Sequence, residues 1–199
     1  MDTSIRSVDP GDARAIQAIY APFVSDSATS FETVVPDVEE IRRRIDEQRA
    51  RYPWIVFESN GTIAAYAYAS AHRARQAYRW SVDVSVYVER TFHRRGIGRA
   101  LYQTLFDLLR RQRFVNAYAG ITLPNAASVG LHESLGFEPI GVYRQVGFKF
   151  DRWHDVGWWH LRLTEHPRCP ADPLLAEQLW RDPSVSAILR ERANDVRLE

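Results

Sequence analysis

The most constraining feature of the sequence is a basic, glycine-containing loop that joins a strand pattern to a helix pattern. Trp80 to Val88 is typical of a strand, and His93-Arg94-Arg95-Gly96-Ile97-Gly98 follows it. Apolar residues then recur at helical spacing: Leu101, Leu105, Leu108 and Leu109. The first N–H groups of a helix lack partners and lie at the positive end of its dipole. This arrangement therefore predicts a site for an anionic group such as a pyrophosphate.

The spacing of the glycines distinguishes this loop from two common nucleotide-binding loops. Gly96 and Gly98 allow a ligand to approach the backbone closely. Three arginines add positive charge around them: Arg94, Arg95 and Arg99. Position 101 is Leu, so the third glycine of a dinucleotide-binding fingerprint is missing, and no Gly-Lys-Ser/Thr follows as in a P-loop. The residues alone leave two interpretations open, an anion site or an ordinary strand–helix turn.

Hydrophobic periodicity divides the rest of the chain into helices and strands. Helices are predicted from Asp9-Pro10, from Asp37, and over Asn125 to Leu135. Asn60-Gly61 predicts a type I′ turn between two strands, because both residues tolerate positive φ. The strands are predicted over Trp54–Phe57, Ile63–Ala69, Trp80–Val88, Val115–Ile121, Ile140–Val146 and Trp158–Leu163. This mixed order favours an α/β domain with a partly parallel sheet.

A change of composition near the C-terminal end marks the expected boundary of this domain. Three prolines lie within the seven residues from Pro167 to Pro173, a density that ends regular structure. We therefore expect one domain over residues 1–164 and a tail over residues 165–199. The tail is expected to carry a short helix between Leu174 and Leu189, interrupted at Pro183.

Composition argues against several classes of protein. The 199-residue chain has 26 basic and 25 acidic residues, and its net charge of +1 does not favour nucleic acid or an anionic membrane. The single cysteine, Cys169, cannot form an internal disulfide. His72, His93 and His132 lack the spacing of a metal site. No apolar run of spanning length or signal core is present, so we expect a cytoplasmic protein without a metal.

Three blocks of sequence resemble the general N-acetyltransferase (GNAT) superfamily. They are Val86-Tyr87-Val88 with the loop Arg94 to Arg99, then Leu123 to Phe137, then Val146 to Trp158. The last block resembles the phosphinothricin and methionine sulfoximine N-acetyltransferases, as do Ala28 to Thr33 and Arg51 to Trp54. The resemblance implies the GNAT fold, a mixed and twisted sheet flanked by helices. Its partly parallel strands splay around the acyl-coenzyme A site.

The resemblance also implies which residues bind acetyl-coenzyme A, the expected co-substrate. Strand backbone pairs with the pantetheine arm and loop amides hold the pyrophosphate; the residues are Val86, Tyr87, Val88, Arg94, Arg95, Gly96, Ile97, Gly98 and Arg99. Asn125 fits as an N-cap and as a pantetheine ligand, and Ser134 is expected to touch the same group. His93 departs from the family, which usually has Gln or Arg at that position. We assign it no catalytic role.

Two residues match the acid–base positions of the family. Asp83 lies on the strand where relatives generally have Glu, and it matches the proposed base that deprotonates the amine. Its shorter side chain implies a bridging water. His132 lies where many members have a Tyr acid near the sulfur, and a His can accept the amine proton or protonate the thiolate. Which of the two residues is the base stays open.

Further residues point to the acceptor. Arg73 and Arg75 can hold a carboxylate or a phosphinate through two hydrogen bonds, and Phe31 and Tyr78 are candidate pocket walls. We therefore expect acetyl transfer to the free amine of a small amino acid analogue that resembles phosphinothricin or methionine sulfoximine. The alternatives are acetylation of a peptide or another amine, and a non-catalytic acyl-coenzyme A-binding module. The aromatic stretch Trp153 to His160 predicts a homodimer, as in relatives.

Overall fold

Seven strands form one sheet in the order β1-β2-β3-β4-β5-β7-β6 in the computed structural model, which describes residues 2–196. The strands are β1 (Thr3–Ser7), β2 (Trp54–Ser59), β3 (Thr62–Ala71), β4 (Ser81–Val88), β5 (Asn116–Leu123), β6 (Glu138–Lys149) and β7 (Arg152–Arg162). The helices are α1 (Ala13–Ser25), α2 (Val38–Gln48), α3 (Ile97–Arg111), α4 (Ala126–Ser134), α5 (Ala176–Leu179) and α6 (Pro183–Asn194).

The sheet opens between its two parallel strands. β4 pairs with β5 only from Ser81 to Asp83, opposite Asn116 to Tyr118, whereas the other neighbouring strands pair antiparallel. Beyond Asp83, β4 stays paired with β3 while β5 stays paired with β7, so a cleft separates the second halves of β4 and β5. The expected mixed sheet with splayed, partly parallel strands is therefore confirmed.

Helices cover both faces of the sheet and bury a core on each. On one face, the apolar side of α3 packs against Val82 and Val84 of β4. On the other face, Ile16 of α1 and Ile45 of α2 pack against β2 and β3. We call these two sides of the sheet the α3 face and the α1–α2 face. Alternate residues of a strand point to opposite faces, and Val82 and Val84 point to the α3 face. Asp83, which lies between them, therefore points to the α1–α2 face. Within residues 2–196, no helix is both long and apolar enough to cross a lipid bilayer.

Local sequence signals set the boundaries of several elements. Asn60 and Gly61 both have positive φ, 49° and 76°, as the type I′ turn between β2 and β3 requires. The Asp37 side chain accepts a hydrogen bond from the Glu40 N–H and caps α2. Strand β1, which the periodicity does not predict, pairs antiparallel with β2 and extends the sheet at that edge.

The C-terminal tail folds back onto the domain. It carries two helices, α5 and α6, in place of the single interrupted helix that we expected. Pro183 does not interrupt a helix, because it is the first residue of α6 and Asp182 caps that helix through the Ser184 N–H. Leu179 and Val185 join the buried cluster on the α3 side.

Candidate active site

A groove of about 620 Å³ runs along β4 and past the N-termini of α3 and α4. Most residues predicted to bind the coenzyme line it: Val86, Tyr87, Val88, Arg94, Gly96, Ile97, Gly98, Arg99 and Asn125. Arg95 and Ser134 lie outside this lining. Asn125 accepts a hydrogen bond from the Ser128 N–H at 3.1 Å, which caps α4, and it also lines the cleft between β4 and β5. The groove and the cleft therefore meet at the start of α4.

The loop before α3 presents bare backbone to this groove. Gly96 is the N-cap of α3 with φ of 79°, a left-handed conformation that favours glycine, and no side chain caps the helix. A Cβ added to Gly98 would lie 3.5 Å from Leu131 and 3.7 Å from Val88, both of which line the groove. The positive end of the α3 dipole thus faces a space that suits a phosphate group.

Two of the predicted coenzyme residues have structural partners instead of groove positions. Ser134 accepts a hydrogen bond from the Arg99 guanidinium at 2.7 Å and donates one to the Leu131 carbonyl. The Arg95 guanidinium lies 5.4 Å from the centre of the Phe92 ring. Ser134 therefore fixes Arg99, whose guanidinium crosses from α3 to the end of α4.

His132 lies buried on the α3 side of the cleft with both ring nitrogens engaged. Its Nδ1 donates to the Ser128 carbonyl at 2.7 Å, so Nε2 is the acceptor for the Tyr102 hydroxyl at 3.0 Å. Burial lowers the pKa of His132, which favours the neutral ring. Burial also raises the pKa of Tyr102. Tyr102, which sequence reasoning missed because it reads as one apolar position of α3, is therefore a neutral hydroxyl in the cleft.

Asp83 lies at the last position where β4 and β5 pair, directly before the sheet opens. Its Oδ1 accepts a hydrogen bond from His72 Nδ1 at 2.6 Å. Burial raises the pKa of Asp83, and the hydrogen bond from His72 opposes that rise. The sequence does not predict the contact between His72 and Asp83, because nothing in their spacing shows that the chain brings the two side chains together.

The two predicted acid–base residues lie on opposite faces of the sheet. Asp83 points toward the α1–α2 face, whereas His132 packs with Tyr102 and Phe137 on the α3 face. No hydrogen bond joins Asp83 to His132 among residues 2–196. Tyr102 and His132 line the cleft between β4 and β5, and Asp83 lies at the position on β4 where this cleft begins.

His93 and His154 each contact a backbone carbonyl. His93 is exposed, and its Nε2 lies 3.0 Å from the Val88 carbonyl at the end of β4. His154 is buried, and its Nε2 contacts the Lys149 carbonyl at 3.0 Å. In the described part of the chain, no three His, Cys, Asp or Glu side chains are grouped so that they could hold a metal ion.

Of the residues predicted to bind the acceptor, some lie close to His72 and Asp83 and others do not. The Arg73 guanidinium donates to the His72 carbonyl at 2.7 Å and lies 5.6 Å from the Trp158 ring. The Tyr78 ring approaches His72 edge-on, with 6.0 Å between ring centres. Arg75 is exposed and, together with Arg73, lines a separate cavity of about 530 Å³ beside the tail. Arg73 and Tyr78 therefore lie next to Asp83's partner, and Arg75 does not contact it.

Phe31 is held over the hairpin of β6 and β7 by a buried lysine. Its ring covers Gly147, where an added Cβ would lie only 2.1 Å from the ring. Lys149 is 6% exposed, and its ammonium donates to one carbonyl of α1 and to two carbonyls of the α1–α2 segment (residues 26–37), which carries Phe31. The acceptors are Val24, Ser27 and Ser30, at 2.6, 2.9 and 2.7 Å. Burial lowers the pKa of Lys149. The end of the β6–β7 hairpin thus fixes the α1–α2 segment near the cleft.

Comparison with known proteins identifies the family. An acetyltransferase (GNAT) domain model matches residues 5–158. A phosphinothricin N-acetyltransferase of Streptomyces viridochromogenes is 38% identical over 172 residues, which cover 85% of this chain and 93% of that protein. An L-methionine sulfoximine/L-methionine sulfone acetyltransferase of Salmonella typhimurium is 37% identical over 82% of this chain and 96% of its own length.

A solved structure agrees with these sequence matches. It is described as a GNAT superfamily phosphinothricin acetyltransferase from Sinorhizobium meliloti in complex with acetyl-coenzyme A. It has a TM-score of 0.81 and 31% identity, and the match covers 88% of this chain and 99% of that one. The splayed strands, the glycine loop and these matches lead to one conclusion: the chain belongs to the GNAT family of acetyltransferases.

Proposed function

We propose that this protein transfers the acetyl group of acetyl-coenzyme A to the free amine of a small amino acid analogue that resembles phosphinothricin or methionine sulfoximine. The observation that carries the proposal is the cleft between β4 and β5, which begins directly after Asp83 on β4 and shares Val86 and Asn125 with the groove at α3. Relatives with these two substrate names match more than four fifths of the chain. We further propose that it works in the cytoplasm.

The groove fits the coenzyme in shape and chemistry. The amides at the start of α3 suit the pyrophosphate, because they are uncapped and lie at the positive end of the helix dipole. Val86 lies on the splayed half of β4, where strand backbone without a β5 partner can pair with the amides of a pantetheine arm. A backbone N–H at this position also polarises the thioester carbonyl, as in an oxyanion hole.

Proton transfer is divided between the two sides of the cleft. The acceptor is mostly an ammonium ion at neutral pH and must lose a proton before it attacks. Attack by nitrogen on the thioester carbon forms the C–N bond and breaks the C–S bond. The nitrogen loses a second proton as the amide forms; the leaving thiolate takes up one proton, and the other passes to solvent.

We place the proton acceptor on the Asp83 side and the proton donor at the Tyr102–His132 pair. His132 has no free lone pair, because Nδ1 donates to Ser128 and Nε2 accepts from Tyr102. The Tyr102 hydroxyl lines the cleft and directs its hydrogen to His132 Nε2, so it must turn this hydrogen toward the thiolate in order to protonate it. Asp83 lies where the cleft begins, and its Oδ1 is hydrogen-bonded to His72 Nδ1, so the Asp83 side holds both a carboxylate and an imidazole.

The experiment that tests the function is acetyl transfer across a panel of amines. The panel contains phosphinothricin, methionine sulfoximine, ordinary amino acids and a peptide with a free N-terminus. Acetylated product is followed by mass spectrometry, because the exposed Cys169 would react with thiol reagents. We expect turnover of the amino acid analogues and none of the peptide. Binding of acetyl-coenzyme A without transfer to any amine would contradict the proposal and favour a non-catalytic binding module.

A variant of Asp83 tests the assignment of the proton acceptor. Asp83→Asn should lower kcat by about 10²–10⁴-fold, the usual contribution of a positioned acid or base. Its affinity for acetyl-coenzyme A should match that of the exposed control Asp151→Asn. If Asp83→Asn keeps the wild-type kcat at saturating amine and raises only KM, Asp83 anchors the ammonium and takes no part in proton transfer.

We also propose a homodimer that uses the outer face of the β6–β7 hairpin. Large apolar residues are exposed there, and the least covered are Ile140 (57%), Phe148 (56%) and Trp153 (60%). Of the tryptophans in the predicted interface stretch, Trp159 is buried in the core and Trp153 is exposed. Exposed apolar patches of this kind are typical of interfaces. A monomer in sedimentation velocity at micromolar concentration would refute the dimer.

A further inference from the structure

We propose that His72 Nε2 is the atom that takes the proton from the acceptor ammonium, and that Asp83 is a positioning residue that holds the His72 ring. This inference rests on the proposed function and names the base of that same site. The assignment follows from the contacts of the two ring nitrogens, the location of the ring and its reach.

The ring nitrogens of His72 are used differently. Nδ1 lies 2.6 Å from Asp83 Oδ1, so it carries hydrogen and donates to the carboxylate. Among residues 2–196, no hydrogen bond to protein engages Nε2. A carboxylate that holds Nδ1–H leaves the lone pair of Nε2 as the proton acceptor and stabilises the imidazolium that forms.

The ring is located where the sheet opens. It stacks on Tyr118 with 4.2 Å between ring centres and an interplanar angle of 19°. Tyr118 is the β5 residue opposite Asp83 in the last parallel pair. Trp158, whose ring centre lies 6.2 Å from that of His72, covers Gly120 in the splayed part of β5. The His72 side chain is 12% exposed, which allows contact with a substrate but shields the ring from bulk water.

The geometry also accounts for the short side chain at position 83. An Asp side chain is one methylene shorter than Glu, so the carboxylate at position 83 has a short reach from β4. An imidazole between the carboxylate and the amine restores the reach without a bridging water.

Several titratable and charged groups lie around the His72 ring. The titratable and charged groups that face it are Asp83 from β4, Arg73 from its own loop, Tyr78 from the following turn and Tyr118 from β5, with His160 of β7 behind Tyr118. Burial raises the pKa of Tyr118 and lowers that of His160, so both are neutral near pH 7.

The test compares two variants of His72 with a control. In His72→Asn, the amide nitrogen can occupy the place of Nδ1 and still donate to Asp83, but no group replaces Nε2. In His72→Ala both functions are lost. The control is His166→Asn, an exposed histidine of the tail. Activity is measured as kcat, KM for the amine and the pH profile of kcat/KM, and coenzyme affinity by calorimetry.

We expect His72→Asn and His72→Ala to lose kcat alike, by about 10²–10⁴-fold, with coenzyme affinity unchanged and the acidic limb of the pH profile altered. If His72→Asn retains kcat within about threefold while His72→Ala does not, His72 only positions Asp83 and the inference is wrong. ¹⁵N spectra of the imidazole provide a readout independent of turnover, and hydrogen on Nε2 with none on Nδ1 would also overturn it. Failure of the wild type to acetylate any amine would instead contradict the proposed function, before any variant is compared.

Discussion

Replacement of Lys149 by Met should destabilise the protein strongly, because the buried ammonium of Lys149 holds three backbone carbonyls. The substitution deletes three hydrogen bonds from an ammonium to the carbonyls of Val24, Ser27 and Ser30 and leaves those carbonyls in a buried site. Hydrogen bonds to charged groups contribute about 1.5–3 kcal/mol each. The desolvation of the ammonium offsets part of that total, so we expect a net loss of about 3–5 kcal/mol in the free energy of unfolding.

The assay is urea-induced unfolding, followed by tryptophan fluorescence and by circular dichroism. The control is Arg152→Met, which removes a positive charge from an exposed side chain directly across the same hairpin. It should change the free energy of unfolding by less than about 0.5 kcal/mol. Lys149→Met should also raise the KM for the amine, because the segment that carries Phe31 loses its attachment. A difference of less than about 1 kcal/mol between the two variants would refute the reasoning.

Three further predictions follow from positions described above. Gly98→Ala should fold normally, because its Cβ has ordinary contacts, yet weaken coenzyme binding at least about tenfold in calorimetry, whereas Gly130→Ala should not. Gly147→Ala should displace the Phe31 ring and raise the KM for the amine, with little change in thermal stability, and an unchanged KM would remove Phe31 from the acceptor pocket. The pKa of His132 is lower in the folded protein than in the unfolded chain, so as the pH drops the unfolded chain takes up this proton before the folded protein does. The free energy of unfolding should therefore fall as the pH drops from 6.5 toward the lowered pKa. Urea titrations of His132→Gln should show a weaker dependence of this free energy on pH.

The sequence predicts the central part of the fold well, because local signals agree with the tertiary structure there. Only a few adjacent residues determine each of three features: the glycines at the start of α3, the Asn60-Gly61 turn, and the alternation of buried and less buried residues along β4. β1 is missed because Thr3–Ser7 is short and contains little apolar character. Pro183 is misread because a proline can end a helix or begin one, and the cap at Asp182 shows that it begins α6.

The site is only partly predictable for a different reason. Asp83 and His132 are found through the resemblance to a family, and their strand and helix positions follow from periodicity. Their partners are not found, because His72 meets Asp83 across a loop and Tyr102 meets His132 from another helix. Side-chain contacts between elements leave no periodic trace in a single sequence, and the chemistry of both pairs depends on them.

Lys149 is the only lysine in the sequence, so chemical labelling of its amine can report how often the end of the β6–β7 hairpin detaches from the rest of the protein. Reactive thioesters and N-hydroxysuccinimide esters acylate unprotonated, accessible amines, and arginine guanidinium groups stay protonated and do not compete. The ammonium of Lys149 is buried and holds three carbonyls, so the folded protein offers no lysine to such reagents or to its own acetyl donor. The rate at which an amine-reactive dye labels Lys149 therefore measures how often the hairpin detaches from the α1–α2 segment.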